Sequence, residues 1–120
     1  IGNPFVFAQV RALLAGQVPL APTCAEQRAA ILRHWELAVA HYGGPAAALP
    51  SVRMHAIKYA QYHPRPVWAR DCLVTVKEPG AFAATLATVF ADEHDGGQRR
   101  ALQPSDAVVP ESTDVVGADC

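Results

Sequence analysis

Residues 23–44 read TCAEQRAAILRHWELAVAHYGG, and this stretch decides the fold class. Thr23 with Glu26 three residues on is a capping box. The hydroxyl accepts the N–H of the third helical residue, and the carboxylate reaches back to the threonine N–H. Ile31, Trp35, Ala38 and Tyr42 then recur at helical spacing, and Leu32 and Val39 widen the stripe. Gly43-Gly44 is placed to end the helix. A helix with one long apolar face needs other elements to cover that face.

The flanking sequence supplies more helices. Gly2-Asn3-Pro4 is turn chemistry, and Pro4 suits a first helical position. Residues 5–15 read as a short helix with Phe7, Val10, Leu13 and Leu14 on its apolar side, ended by Gly16. Residues 17–22 form a proline-punctuated linker, and 45–49 a turn or a loose first turn of the next helix. A helix is expected over 50–62, with Val52, Ala56 and Tyr59 on one apolar line. His63-Pro64-Arg65-Pro66 breaks it, because each proline drives its predecessor out of helical geometry. Pro66 opens a short helix through Leu73, and 74–77 are extended or irregular. Pro79 opens a last helix to about residue 93, with Phe82, Leu86, Val89 and Phe90 on one face. The expected architecture is all-α: a small antiparallel bundle of four to five helices. From residue 95 onward Gly, Pro, Ser, Asp and Val alternate without period, and a mobile acidic C-terminal tail is expected there.

A chain of 120 residues fits one modest domain, and its 51% hydrophobic content with only 8% aromatic content suits closely packed helices. The net charge of −1 hides an asymmetry. Residues 1–91 carry eight Lys/Arg against four Asp/Glu, whereas 92–120 carry two arginines against seven acids. A mildly basic body suits a polyanion, and an acidic tail would mask it. Cys24, Cys72 and Cys120 show no metal-ligand spacing. Three reduced thiols in a cytoplasmic protein are the simplest expectation. No apolar run reaches the ~18 residues of a membrane span. The chain opens on Ile-Gly-Asn-Pro without Met and reads as a piece of a longer protein.

Catalytic signatures are missing from the sequence. His34 and His41 stand two turns apart on one helix, about 10 Å, too far to share a zinc ion directly. There is no HExxH, no nucleophile elbow and no glycine-rich phosphate loop. By itself the chain reads as non-catalytic. The segment VRMHAIKYAQYH, residues 52–63, mixes cations and rings instead. Arg53 and Lys58 diverge by ~140° around a helix and flank its apolar seam. An ordinary amphipathic helix with its charges in water fits these residues. So does an RNA contact, with Arg53 and Lys58 on phosphates and His55 or Tyr59 on a sugar or base.

Several motifs, in order, resemble the bacterial tRNA-dihydrouridine synthases. IGNPFVFAQVRALLAG resembles the family's GNPW-I-F segment after the last flavin-binding strand. PTCAEQRAAILRHWELAVAHYGG resembles its PT-x-E-E-R…H-x-x-L…YG helix, and VRMHAIKY its M-R-K-H-x-x-W-Y motif. EPGAFAATLATVFA is similar to the family's closing helix. Two departures stand out: Met54 replaces the family's lysine, and Lys58 its aromatic residue.

The resemblance implies a parent with an N-terminal TIM barrel holding FMN, reloaded by NADPH, and a C-terminal helical domain that helps hold tRNA. The parent reduces the C5–C6 bond of uridine, with a barrel cysteine that is none of the three here as proton donor. Residues 1–16 would then end the barrel, 17–94 form the tRNA-binding domain, and 95–120 the flexible tail. The resemblance puts Arg53, His55 and Tyr59 at RNA-binding positions. Lys58 joins them on charge alone, and Arg28 from a stretch of variable character. The expected partners are tRNA and the barrel of the same parent chain. The alternative is a non-enzymatic interaction or dimerisation bundle that docks through its Trp35/Tyr42 and Tyr59/Tyr62 surfaces.

Overall fold

The computed structural model describes residues 4–94 and 101–102. The turn expected at Gly2-Asn3 and most of the expected tail lie outside the described residues. The fold is all-α, as expected, with five helices among the described residues: α1 (Val6–Leu14), α2 (Cys24–Tyr42), α3 (Pro45–Tyr59), α4 (Pro66–Val74) and α5 (Phe82–Val89). Short 3-10 turns cover Ala60–Tyr62, Pro79–Ala81 and Asp92–His94.

The capping box on α2 is formed. Thr23 Oγ1 accepts the Glu26 N–H at 3.2 Å, and Glu26 Oε1 accepts the Thr23 N–H at 3.2 Å. At the other end Gly43 sits at φ 81°, a left-handed conformation that a β-carbon would strain, and its N–H closes on the Val39 carbonyl. Between the caps, Cys24, Gln27, Ile31, Trp35 and Ala38 are buried. The buried stripe thus starts two turns earlier than the apolar pattern indicates and includes a glutamine. The Gln27 amide donates to the Pro22 carbonyl at 3.0 Å and to the Tyr62 carbonyl at 3.4 Å. Tyr42, the far end of the expected stripe, is exposed instead.

α3 packs on α2, α4 on α3, and α5 on both α4 and α2. Leu49 and Val52 of α3, Leu73 of α4, and Phe82, Leu86 and Phe90 at α5 share one core with Ile31 and Trp35. The Trp35 and Phe82 rings lie 4.7 Å apart and close the circuit between α2 and α5.

Two helix boundaries differ from expectation. α3 begins at Pro45 rather than at residue 50, and Pro50 lies inside it. Pro45 suits the first turn, where its missing N–H is no loss. Pro50 deprives the Ala46 carbonyl of its donor, but both residues are exposed, so water supplies the bond. The last helix is shorter than expected: it stops at Val89, and a 3-10 turn follows at Asp92–His94. Cys24 is free and buried. Cys72 is disulfide-bonded, which corrects the expectation of three reduced thiols. Spacing along a chain does not reveal which sulfurs meet in space.

α1 stands apart. None of its residues is buried, and Phe7 and Leu14 are 77% and 83% exposed. Its near end touches the body through Tyr62, with Gln9 Nε2 donating to the tyrosine hydroxyl at 3.0 Å and the Phe5 ring edge-on at 6.1 Å.

His63, the next residue after Tyr62, is buried with no solvent exposure. Its Nδ1 faces the Arg65 N–H at 2.9 Å and can only accept there. The proton is therefore on Nε2, which donates to the Val89 carbonyl at 2.6 Å. Burial pushes the imidazole pKa down from 6.5 to about 4, against the pull of these two bonds, and His94 and Arg65 nearby add to the depression. As pH falls below 6.5 the unfolded chain takes up this proton first, so stability drops through the window from 6.5 to about 4 and levels off below it. Denaturant melts across this range should lose a few kcal/mol. His63→Gln, which keeps a donor toward Val89, should flatten that loss. An unchanged slope in the variant would contradict the assignment.

Candidate nucleic-acid interface

α3 carries most of the residues that the sequence nominates, and the bundle distributes them over three directions. Val52 and Leu49 face the core. Arg53 lies on the flank toward α4, where its guanidinium donates to the Val76 carbonyl at 2.6 Å. This bond ties α3 to the chain leaving α4 and leaves the arginine half-buried. Lys58 and Met54, four residues apart, are exposed on the outer face. His55 and Tyr59 occupy the other flank, both half-buried and facing α2.

On that flank the structure adds a residue that the sequence reading left aside. His34 of α2 lies edge-on to His55 at 5.2 Å and to Tyr59 at 6.2 Å between ring centroids. The His34 Nδ1 is buried without a hydrogen-bond partner. Burial, then the neighbouring His55, lowers the His34 pKa, and burial raises that of Tyr59. The signal in the sequence was the shared helical phase of 55 and 59, but the meeting with residue 34 depends on how α2 and α3 pack.

Arg28 is placed elsewhere. Its guanidinium donates to the Phe90 carbonyl at 2.7 Å and pairs with Asp92 at 3.4 Å, so a phosphate there would compete with a carboxylate. Arg33 pairs with Glu36 at 3.4 Å and Arg70 with Asp71 at 3.1 Å. Among the described residues, Arg53, Lys58, Arg65 and Lys77 form no ion pair. Arg11 of α1 is also without an ion pair, so the cations without an acidic partner lie on α1, on α3 and at the two ends of α4. No group of three or more His, Cys, Asp or Glu side chains among the described residues is placed to hold a metal ion.

An open groove of about 440 Å³ adjoins Arg53, lined by Cys72, Thr75, Val76, Lys77, Glu78, Ala81 and Thr85. The Thr75 and Thr85 hydroxyls donate to the Cys72 and Ala81 carbonyls, each at 2.9 Å. Of the aromatic side chains expected to dock a partner, two lie in the interior. Trp35 and Tyr62 are buried, Tyr59 is half-buried and Tyr42 is exposed, while α1 exposes Val6, Phe7, Val10, Leu13 and Leu14.

The whole chain aligns with part of a protein named probable tRNA-dihydrouridine synthase from Mycobacterium leprae (strain TN), at 29% identity over 126 residues. The similarity is to a segment, not to a whole enzyme. The chain spans 33% of the length of that curated relative. No family model matches the chain, and no solved structure matches it.

The His34–His55 pair is accessible to NMR. His34 should titrate below the ordinary imidazole range. His55→Gln should raise its midpoint only part of the way back, because burial is the larger cause. A midpoint unmoved by His55→Gln would show that the two rings do not interact in solution.

Proposed function

We propose that this chain is the helical, tRNA-holding part of a flavin-dependent tRNA-dihydrouridine synthase, which reduces uridine to dihydrouridine in tRNA. The observation that carries the proposal is the alignment of the entire chain with one third of a protein of that name. The motifs of residues 1–62 and the cations without acidic partners support it. Residues 1–16 would close the barrel domain, 17–94 form the tRNA-binding domain, and 95–120 a tail. FMN and NADPH would belong to the remainder of the enzyme, and the reaction would take place in the cytoplasm, where tRNA is. No helix among the described residues is long and apolar enough to cross a membrane.

The division of labour has a physical basis. A base buried in folded tRNA must be extruded to reach a flavin, at a cost of a few kcal/mol. A separate surface that grips the RNA backbone offsets that cost and sets the register, and the catalytic pocket chooses the base. Arg53 and Lys58 would meet phosphates, and His55 and Tyr59 a sugar or base. Arg28 would join only by exchanging Asp92 for a phosphate.

The full chain should bind tRNA with an affinity that falls steeply with salt, because phosphate contacts release counterions. Lys58→Ala removes an exposed side chain and leaves the fold intact. It should weaken binding to all tRNAs alike and reduce the salt slope by about one unit. Salt-independent binding, or none, would reject the reading.

α1 favours the second reading, self-association. None of its residues is buried, and its apolar face could pack on that of a second copy. Phe7→Glu with Leu14→Glu should change stability by under about 0.5 kcal/mol, since neither side chain is covered. Sedimentation should show any dimer dissociating in this variant. A dimer that persists, with tRNA binding absent, would favour an interaction bundle that uses another face.

A further inference from the structure

The turn from α3 into α4 holds a cation more tightly than a loop requires. Residues 63–65 connect the 3-10 turn Ala60–Tyr62 to Pro66 at the start of α4. The buried His63 ring bonds to the Arg65 N–H on one side and the Val89 carbonyl on the other. The backbone of Arg65 is thereby fastened to the end of α5 through an imidazole. Pro66 adds a second restraint by keeping Arg65 out of helical geometry, at φ −124° and ψ 75°.

The Arg65 side chain then lies over the Trp68 ring, with Cζ 4.7 Å from its centroid. Trp68 is half-buried and packs against the core. It meets two imidazoles, His63 at 5.6 Å and His94 at 5.1 Å, which also meet each other at 5.2 Å. His94 in turn bonds through Nε2 to the Thr88 carbonyl at 3.1 Å. The indole is therefore flanked by rings that are themselves anchored to α5.

Arg65 itself is exposed and forms no ion pair among the described residues. Arg28, Arg33 and Arg70, by contrast, each meet a carboxylate. A guanidinium resting on an indole has surrendered much of its rotamer freedom in advance, so less is lost when it forms hydrogen bonds. Its donors remain available. A planar, weakly hydrated cation beside an aromatic ring suits a nucleotide that has left its stack, because it can stack on the base and bond to the phosphate.

We propose that Arg65, seated on Trp68, is a contact for an unstacked, single-stranded nucleotide of the bound RNA, with the base against the guanidinium and its phosphate on the N–H donors. This rests on the reading of the chain as a tRNA binder and adds a contact beyond α3, at the entrance to α4.

Arg65→Ala tests it cleanly, because the backbone N–H that holds His63 is retained and the lost side chain is exposed. In tRNA titrations of the full chain, Arg65→Ala should bind about five- to tenfold more weakly, with the salt slope reduced by about one unit. Arg65→Lys should recover the slope but not the full affinity, since an ammonium is a point charge that does not stack. Wild-type-like affinity in Arg65→Ala would overturn the contact and leave the tRNA reading standing. Wild-type-like affinity in Arg65→Lys would overturn the stacked base. Failure of the unaltered chain to bind tRNA would remove the tRNA reading and this contact together.

Discussion

Trp35 against Phe82 joins the longest helix of the body to the last one. α2 needs that contact because its buried stripe is too long for α3 alone to cover. α3 packs on α2 and α4 on α3, and α5 must then return to α2 to close the core. The closure arranges the flanks of α3 and the turn into α4. It decides which flank of α3 meets α2 and which meets the end of α4. It also brings the Val89 carbonyl within reach of His63, and so fixes the turn that carries Arg65.

Much of this was legible in the residues. The capping box at Thr23 and Glu26, the glycine at 43 and the spacing of Ile31, Trp35 and Ala38 specify α2 by local chemistry, and the structure shows each of them. The unexpected parts have tertiary causes. Pro50 looked like a helix start because proline is poor inside one, but an exposed carbonyl at Ala46 makes it tolerable. Gln27 is no part of the apolar pattern, yet it lies in the core, where its amide donates to two backbone carbonyls.

The site was less legible than the fold. Sequence spacing put His55 and Tyr59 in phase on α3 but said nothing of His34, which joins them only because α2 lies alongside. Arg53 and Lys58 were read as flanking cations, and they do diverge. The short bond from Arg53 to the Val76 carbonyl depends on where α4 ends. His63-Pro64-Arg65-Pro66 was read only as a helix break. The prolines did mark the break, but nothing local marked Arg65 as the cation laid over Trp68. Charge counts blurred the picture further, because Arg28, Arg33 and Arg70 are neutralised by neighbours and contribute little to an external polyanion.

The central claim is that RNA meets the cations without acidic partners on α3 and at the start of α4, while α1 takes no part. NMR chemical-shift mapping of the labelled full chain with added tRNA tests this most directly. Perturbations should concentrate at Arg53, His55, Lys58, Tyr59, Arg65 and Trp68, fade as salt is raised, and spare Phe7 and Leu14. Perturbations confined to α1, or a spectrum that tRNA leaves unchanged at low salt, would contradict the account.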